Sequence, residues 1–100
     1  MTKLPVPLSF EWDETNKEKN WTKHGVLFKE AEEIYLGNTK IRIFPDKKHS
    51  LTEERFLALG VTNNGRKLTV IFTVRKGKLR IISARNQNRK ERTKHAEKED

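Results

Sequence analysis

The side chains best suited to chemistry fall into two groups. His49-Ser50-Leu51-Thr52-Glu53-Glu54-Arg55 sets an imidazole, which titrates near neutrality, close in sequence to two carboxylates. His49 and Glu54 are the candidates for moving a proton, and Glu54 abuts a strand that would hold it. The same loop also reads as a turn bearing solvated charges. Arg80 and Arg85 flank Ile81-Ile82-Ser83-Ala84. A guanidinium grips phosphate with two parallel N–H donors and stays protonated, so these two are candidates for clamping an anionic transition state. Residues five apart on a regular strand face opposite sides, so both could reach one phosphate only if the strand's end turns. Each could equally bridge strand to helix. Arg55 and Arg75 are weaker candidates of the same kind.

The charge distribution favours a polyanion as partner. Residues 75–100 hold ten Lys or Arg against four acids, a net +6 of the chain's +8. A block of this sign is an electrostatic footprint for nucleic acid or an acidic protein. Arg89 and Arg92 belong to it and are candidates for contacting a nucleic-acid backbone, in a segment that also reads as a solvated helix or a partner's docking segment. Lys23 and His24 end the first helix, where a cation suits the helix terminus and Gly25 can cap it. That structural role suffices, with RNA contact as the alternative.

Several chemistries lack the residues they need. His24, His49 and His95 have no metal-ligand spacing, and there is no cysteine, so neither a thiolate zinc site nor a disulfide framework is expected. Asn63-Asn64-Gly65 is a hairpin turn rather than a phosphate loop. No cofactor is expected. No stretch approaches the ~20 apolar residues of a membrane span, and residues 1–8 are too weakly apolar for a leader, so a soluble cytoplasmic protein without membrane contact is expected.

The elements that must position these residues are legible from periodicity. In 100 residues, 33% are apolar and 36% charged, which fits one domain with a small core. The N-terminal arm, 1–9, contains two prolines. A short strand at Ser9–Trp12 precedes a polar helix over 14–24, with Asp13 as N-cap. Its Lys17, Asn20, Trp21 and His24 share one face, expected to pack around Trp21. A second helix over 27–36 carries an apolar stripe of Leu27, Ala31, Ile34 and Tyr35. Four strands follow, at Thr39–Pro45, Arg55–Thr62, Lys67–Val74 and Leu79–Ala84, with the third at the sheet's centre. Hairpin links make these pairs antiparallel, and two helices ahead of them make the fold α+β, with both helices expected on one sheet face. The domain spans 10–85. The segment 86–100 is a basic helix or tail with a single aliphatic residue, Ala96, and so has no apolar face to bury against the sheet.

These motifs, in this order and spacing, resemble the BrnT family of type II toxins. The resemblance runs through Phe10-Glu11-Trp12-Asp13, Asn20, Lys23-His24-Gly25-Val26, Phe28-x-Glu30-Ala31, His49-Ser50-x-x-Glu53-Glu54-Arg55-Phe56, Arg80-Ile81-Ile82-Ser83-Ala84-Arg85 and Arg89-x-Glu91-Arg92. It covers residues 10–92. It implies a RelE-like fold and a ribonuclease that arrests translation. It also implies a BrnA-type antitoxin, whose ribbon-helix-helix dimer binds operator DNA, so that DNA is met only through the antitoxin and the complex represses its own operon. The chain departs from the family at Leu27, where Ser or Thr often caps the second helix, and in its longer N-terminal arm.

Cleavage without a metal needs a base for the 2′-hydroxyl, a cation for the phosphorane and an acid for the 5′-oxygen. His49 and Glu54 suit the proton transfers and Arg80 and Arg85 the phosphate. The substrate would be RNA, free or ribosome-bound. A competing expectation is a basic module that binds RNA or an acidic protein without cutting. A DNA regulator acting alone is disfavoured, because no helix-turn-helix signal is present.

Overall fold

A computed structural model describes residues 9–36, 41–46 and 53–97. His49 lies outside them, as does most of the N-terminal arm. The order is β1 (Phe10–Glu11), α1 (Glu14–His24), α2 (Phe28–Leu36), β2 (Arg42–Pro45), β3 (Phe56–Val61), β4 (Lys67–Arg75), β5 (Lys78–Asn86) and α3 (Arg89–Ala96). The strands form one five-stranded sheet in the order β1-β5-β4-β3-β2. Strands β2 to β5 pair antiparallel, and β1 joins β5 in parallel. The first strand is therefore part of the sheet, and β4 is its centre. Among the described residues no helix is long and apolar enough to cross a membrane.

Local chemistry accounts for the boundaries. The Asp13 carboxylate accepts the Thr15 N–H at 2.8 Å, capping α1, and Gly25 ends that helix at φ 64°. Leu27 offers no capping oxygen to α2. Instead the Glu30 side chain reaches back to the Leu27 N–H at 3.0 Å, which is half of a capping box. The turn between β4 and β5 is Lys76-Gly77, with φ 52° and 75°, the left-handed pair that a two-residue hairpin requires.

One face of the sheet buries the core. Ala58, Leu68, Val70, Phe72, Leu79, Ile81 and Ala84 meet Val26, Ala31, Ile34 and Tyr35 there. Helix α2 lies over β3 and β4, and α1 packs along β5. Gly60 permits this approach, since a Cβ on it would stand 2.6 Å from the Ile34 Cβ. Tyr35 packs edge-on to Phe72 at 5.6 Å and against Phe10 at 5.7 Å. Its hydroxyl is buried with no hydrogen-bond partner.

Two packing expectations are corrected. Trp21 is 56% exposed and Leu27 48% exposed, so neither belongs to the core. A single aromatic on a polar helix has no apolar neighbour one turn away to complete a stripe. Trp12 does the anchoring instead. It meets Phe28 edge-on at 6.0 Å and donates its indole N–H to Glu32 at 2.7 Å. The stripe of α2 is reduced to Ala31, Ile34 and Tyr35.

Candidate functional site

The opposite face of the sheet carries the candidate site. Along β4 it presents Thr69, Ile71, Thr73 and Arg75, alternating with the core residues Leu68, Val70 and Phe72. Leu57 pairs with Ile71, so it lies on this face. Arg55, two residues earlier, continues that side past the strand's start.

An irregularity in β5 decides where Arg80 and Arg85 point. Ile71 pairs with Ser83, but its neighbour Phe72 pairs with Ile81, so Ile82 is an extra residue in β5. Such a bulge shifts the alternation by one. Leu79, Ile81 and Ala84 all remain in the core despite their spacing, and Arg80 and Arg85 both emerge on the second face. Arg80 pairs with Thr73 and Arg85 with Thr69. The obstacle that a regular strand poses is removed within the strand rather than by a turn at its end.

Arg55, Arg75, Arg80 and Arg85 thus share one face. Arg75, Arg80 and Arg85 each meet a carboxylate. Arg75 meets Glu53 at 2.8 Å. Arg80 lies 3.5 Å from Glu11 and 3.9 Å from Asp13. Arg85 forms a two-point fork with Glu91, each bond 2.7 Å. The Glu53 carboxyl is held below its ordinary range, first by the hydrogen bond from Arg75, which outweighs an opposing burial cost with help from the charges of Arg75, Arg55 and Arg80. Glu54 has an exposed side chain at the edge of this cluster. Its backbone is pinned, because the Thr73 hydroxyl donates to its carbonyl at 2.6 Å.

Between Arg55 and Arg85 lies an open cleft of about 360 Å³, lined also by Leu57, Ile71, Ile82, Ser83 and Asp46. Asp46 and Arg55 face each other at its rim, where the Asp46 N–H donates to the Arg55 carbonyl at 2.8 Å.

Helix α3 covers the other end of this face. It buries no residue of its own, as its composition requires, yet it is firmly docked. Asn88 and Glu91 form a capping box at its start. Glu91 accepts not only from Arg85 but also from the Thr69 hydroxyl at 2.8 Å. Lys94 sits 3.9 Å above the Phe44 ring. Arg42 donates to the carbonyls of Lys94 at 2.7 Å and Glu97 at 3.0 Å, cancelling the negative end of the helix. The segment that has no apolar face to bury is thus held to its own sheet by polar contacts, which leave no trace in a hydrophobicity pattern.

The remaining expected contacts lie apart from the cleft. Arg89 and Arg92 are exposed on α3, and Arg92 donates to the Gln87 carbonyl at 2.9 Å. Lys23 and His24 end α1 near the far end of β5, where Arg66 ties the His24 and Gly25 carbonyls to Asn86. The His24 pKa is lowered, first by burial and then by the charges of Lys23, Arg85 and Lys19. His95, in the last turn of α3, has its Nδ1 3.1 Å from the Gln87 amide nitrogen. Among the described residues no group of His, Asp or Glu could hold a metal ion.

Asp46, Ser83 and Glu91 were not singled out by sequence. Only Glu91 had a readable signal, the Asn88-x-x-Glu91 spacing of a capping box. Asp46 and Ser83 are recognisable only once register is known.

A family model for the ribonuclease toxin BrnT of type II toxin–antitoxin systems matches residues 12–91. Among solved structures, the chain is similar to the 1.1 Å crystal structure of the Brucella abortus ribonuclease toxin, BrnT. The two are 27% identical with a TM-score of 0.64, over 82% of this chain and 99% of that one. No curated protein matches the chain.

Proposed function

The chain belongs to the BrnT family of ribonuclease toxins of type II toxin–antitoxin systems, and from that premise we propose that it cleaves RNA on the arginine-bearing face of its sheet. The reaction is attack of a 2′-hydroxyl on the adjacent phosphate, with no metal required. The observation that carries this is the shared face of Arg55, Arg75, Arg80 and Arg85, which the bulge at Ile82 makes possible.

In this mechanism Arg85 and Arg80 bind the phosphate and stabilise the charge that gathers on its oxygens. Arg55 and Arg75 hold the flanking backbone. Glu54, at the cluster's edge on a fixed backbone, and His49 share the proton transfers, one removing the 2′-proton and the other protonating the leaving 5′-oxygen. Lys23, Arg89 and Arg92 extend the basic track, with His24 as a neutral contact beside Lys23. The products carry a 2′,3′-cyclic phosphate and a 5′-hydroxyl.

The family implies an antitoxin partner and an RNA target. We assign the partner to the BrnA type, a ribbon-helix-helix dimer that takes the complex to operator DNA and represses the operon. The toxin acts in the cytoplasm, on RNA that is free or ribosome-bound, and so stops translation.

Expression from a tightly repressed promoter tests the reading, with growth, labelled-methionine incorporation and transcript 5′ ends followed together. Rapid translation loss with new 5′-hydroxyl ends is the expected result. Purified protein that leaves intact both free RNA and messenger RNA on translating ribosomes, with or without divalent cations, would overturn it.

A further inference from the structure

Ser83 stands at the middle of the arginine-bearing face. The residues opposite Arg80, Ser83 and Arg85 are Thr73, Ile71 and Thr69, each two positions from the next along β4. The bulge at Ile82 therefore spaces the three β5 residues evenly, with Ser83 about 7 Å along the strand from either arginine. Ser83 pairs with Ile71 and lines the same cleft as Arg85, so its hydroxyl lies on their side of the sheet.

Two donors at this point have no partner. The Ser83 side chain is half-buried, yet its hydroxyl makes no hydrogen bond to any described residue. The fork to Glu91 uses both terminal nitrogens of Arg85 and leaves its Nε–H without a partner among those residues. Polar groups partly withdrawn from water are normally hydrogen-bonded, so an unpartnered pair of donors on a cationic surface suits an arriving anion.

The residue type fits this place. A bulky side chain at position 83 would keep the guanidinium groups from a shared phosphate, and a carboxylate would cancel their charge. Serine leaves room between them and adds an O–H that rotates to meet its acceptor. As the phosphorane forms, charge gathers on the nonbridging oxygens, and a donor aimed there gains strength over the ground state.

We propose that Ser83 is a further catalytic residue, whose hydroxyl donates to a nonbridging oxygen of the scissile phosphate beside the Nε–H of Arg85. In the reaction the bond from the 2′-oxygen to phosphorus forms and the bond to the 5′-oxygen breaks. Glu54 and His49 carry the protons, and Ser83 keeps its own. The assignment rests on the RNA-cleaving reading of this face and adds a donor to it.

The test uses the purified chain and a short RNA spanning the cut site mapped in cells, free or on ribosomes. The scissile phosphate is replaced in turn by each phosphorothioate diastereomer. Single-turnover cleavage gives the rate, and a 2′-O-methyl strand, which cannot react, gives the affinity. Ser83→Ala should cleave about a hundredfold more slowly, the usual cost of one transition-state donor, with its affinity for the uncleavable strand unchanged. Ser83→Thr keeps the hydroxyl and should recover most of the rate. Sulfur accepts hydrogen bonds weakly, so one diastereomer should slow the wild type markedly and slow Ser83→Ala no further. A structural role alone would slow cleavage of both diastereomers alike.

An unchanged rate in Ser83→Ala, with its fold checked by circular dichroism, would overturn the proposal and leave the nuclease reading standing. So would thio effects of equal size in the wild type and the variant. If Ser83→Ala does not fold, Ser83→Cys, whose thiol is a weak donor of similar shape, carries the same comparison. Wild-type protein that cuts neither free nor ribosome-bound RNA would remove the reading and the proposal together.

Discussion

The guanidinium of Arg85 and the carboxylate of Glu91 meet through two parallel hydrogen bonds of 2.7 Å each, one from each terminal nitrogen. The fork joins a sheet strand to the last helix. The same carboxylate closes the capping box of α3 and accepts from Thr69, so one side chain fixes the helix start, the helix position and the aim of Arg85.

Replacing Glu91 by Gln should therefore be costly at an otherwise exposed helix. One ionic fork and part of a cap are lost at a carboxylate that is 13% exposed, which we place at about 2 kcal/mol. For a chain this size that is roughly a 10 °C fall in thermal midpoint, readable by calorimetry. The pH dependence has a definite sign. Burial would raise the Glu91 pKa, but Arg85, the Asn88 N–H and Thr69 together outweigh it and the net shift is downward. A carboxylate with a depressed folded pKa stabilises the fold fully above its unfolded value, near 4.3, and loses that contribution as pH falls through the folded one. The wild type should lose stability below about pH 4.3 more steeply than Glu91→Gln.

Arg80→Ala and Arg85→Ala should each lower cleavage by about a hundredfold or more, the usual cost of a transition-state donor. If both serve one phosphate, the double variant should be little worse than the poorer single one. Arg85→Lys keeps the charge but cannot make the fork, so it should not restore activity. Single-turnover cleavage of a short RNA distinguishes these outcomes. Wild-type rates in folded Arg85→Ala would remove that residue from the mechanism.

Tyr35→Phe should be neutral or stabilise the protein by up to about 1 kcal/mol, because it removes a buried hydroxyl that nothing satisfies. Burial raises its pKa well above the ordinary tyrosine value. Denaturant melts at neutral pH would show the midpoint unchanged or higher. A clear loss of stability would mean the hydroxyl has a partner in solution.

Lys23 and His24 are adjacent and should behave differently toward RNA. The lowered pKa of His24 leaves it neutral at pH 7, whereas Lys23 brings a charge. Lys23→Gln should reduce the salt slope of binding to single-stranded RNA by about 0.7, and His24→Gln should leave it unchanged. Protonating His24 is harder in the fold than in the unfolded chain. Its contribution to stability is therefore complete above about pH 6.5 and is lost progressively below it. Salt titrations of both variants at pH 7 separate the two roles.

How much of this was readable from sequence differs by element. The polar helix at 14–24 and the hairpin at Asn63-Asn64-Gly65 stand as periodicity and turn chemistry placed them, because each rests on residues adjacent in the chain. The shared face of Arg80 and Arg85 was hidden. Ile81-Ile82-Ser83 has no alternation that betrays an extra residue, and only the pairing with Ile71 and Phe72 locates it. The docking of α3 was hidden for another reason, since contacts such as Arg42 to the Lys94 carbonyl span 52 residues and leave no local signature. Trp21 misled because size and apolarity suggested an anchor, whereas Trp12 took that role with a polar tip bonded to Glu32.

The two-residue strand at the start of the sheet has a consequence for timing. Phe10 and Glu11 pair with Leu79 and Arg80, so the first strand has no neighbour until most of the chain exists. Synthesis proceeds at about 5–20 residues per second, and a partner some seventy positions away arrives only several seconds later. The last helix, which pins the guanidinium of Arg85, comes later still. A chain interrupted before Leu79 leaves its first strand unpaired and lacks Arg80 and Arg85, two of the four arginines of its candidate site. The topology therefore makes assembly of that site one of the last events in the protein's synthesis.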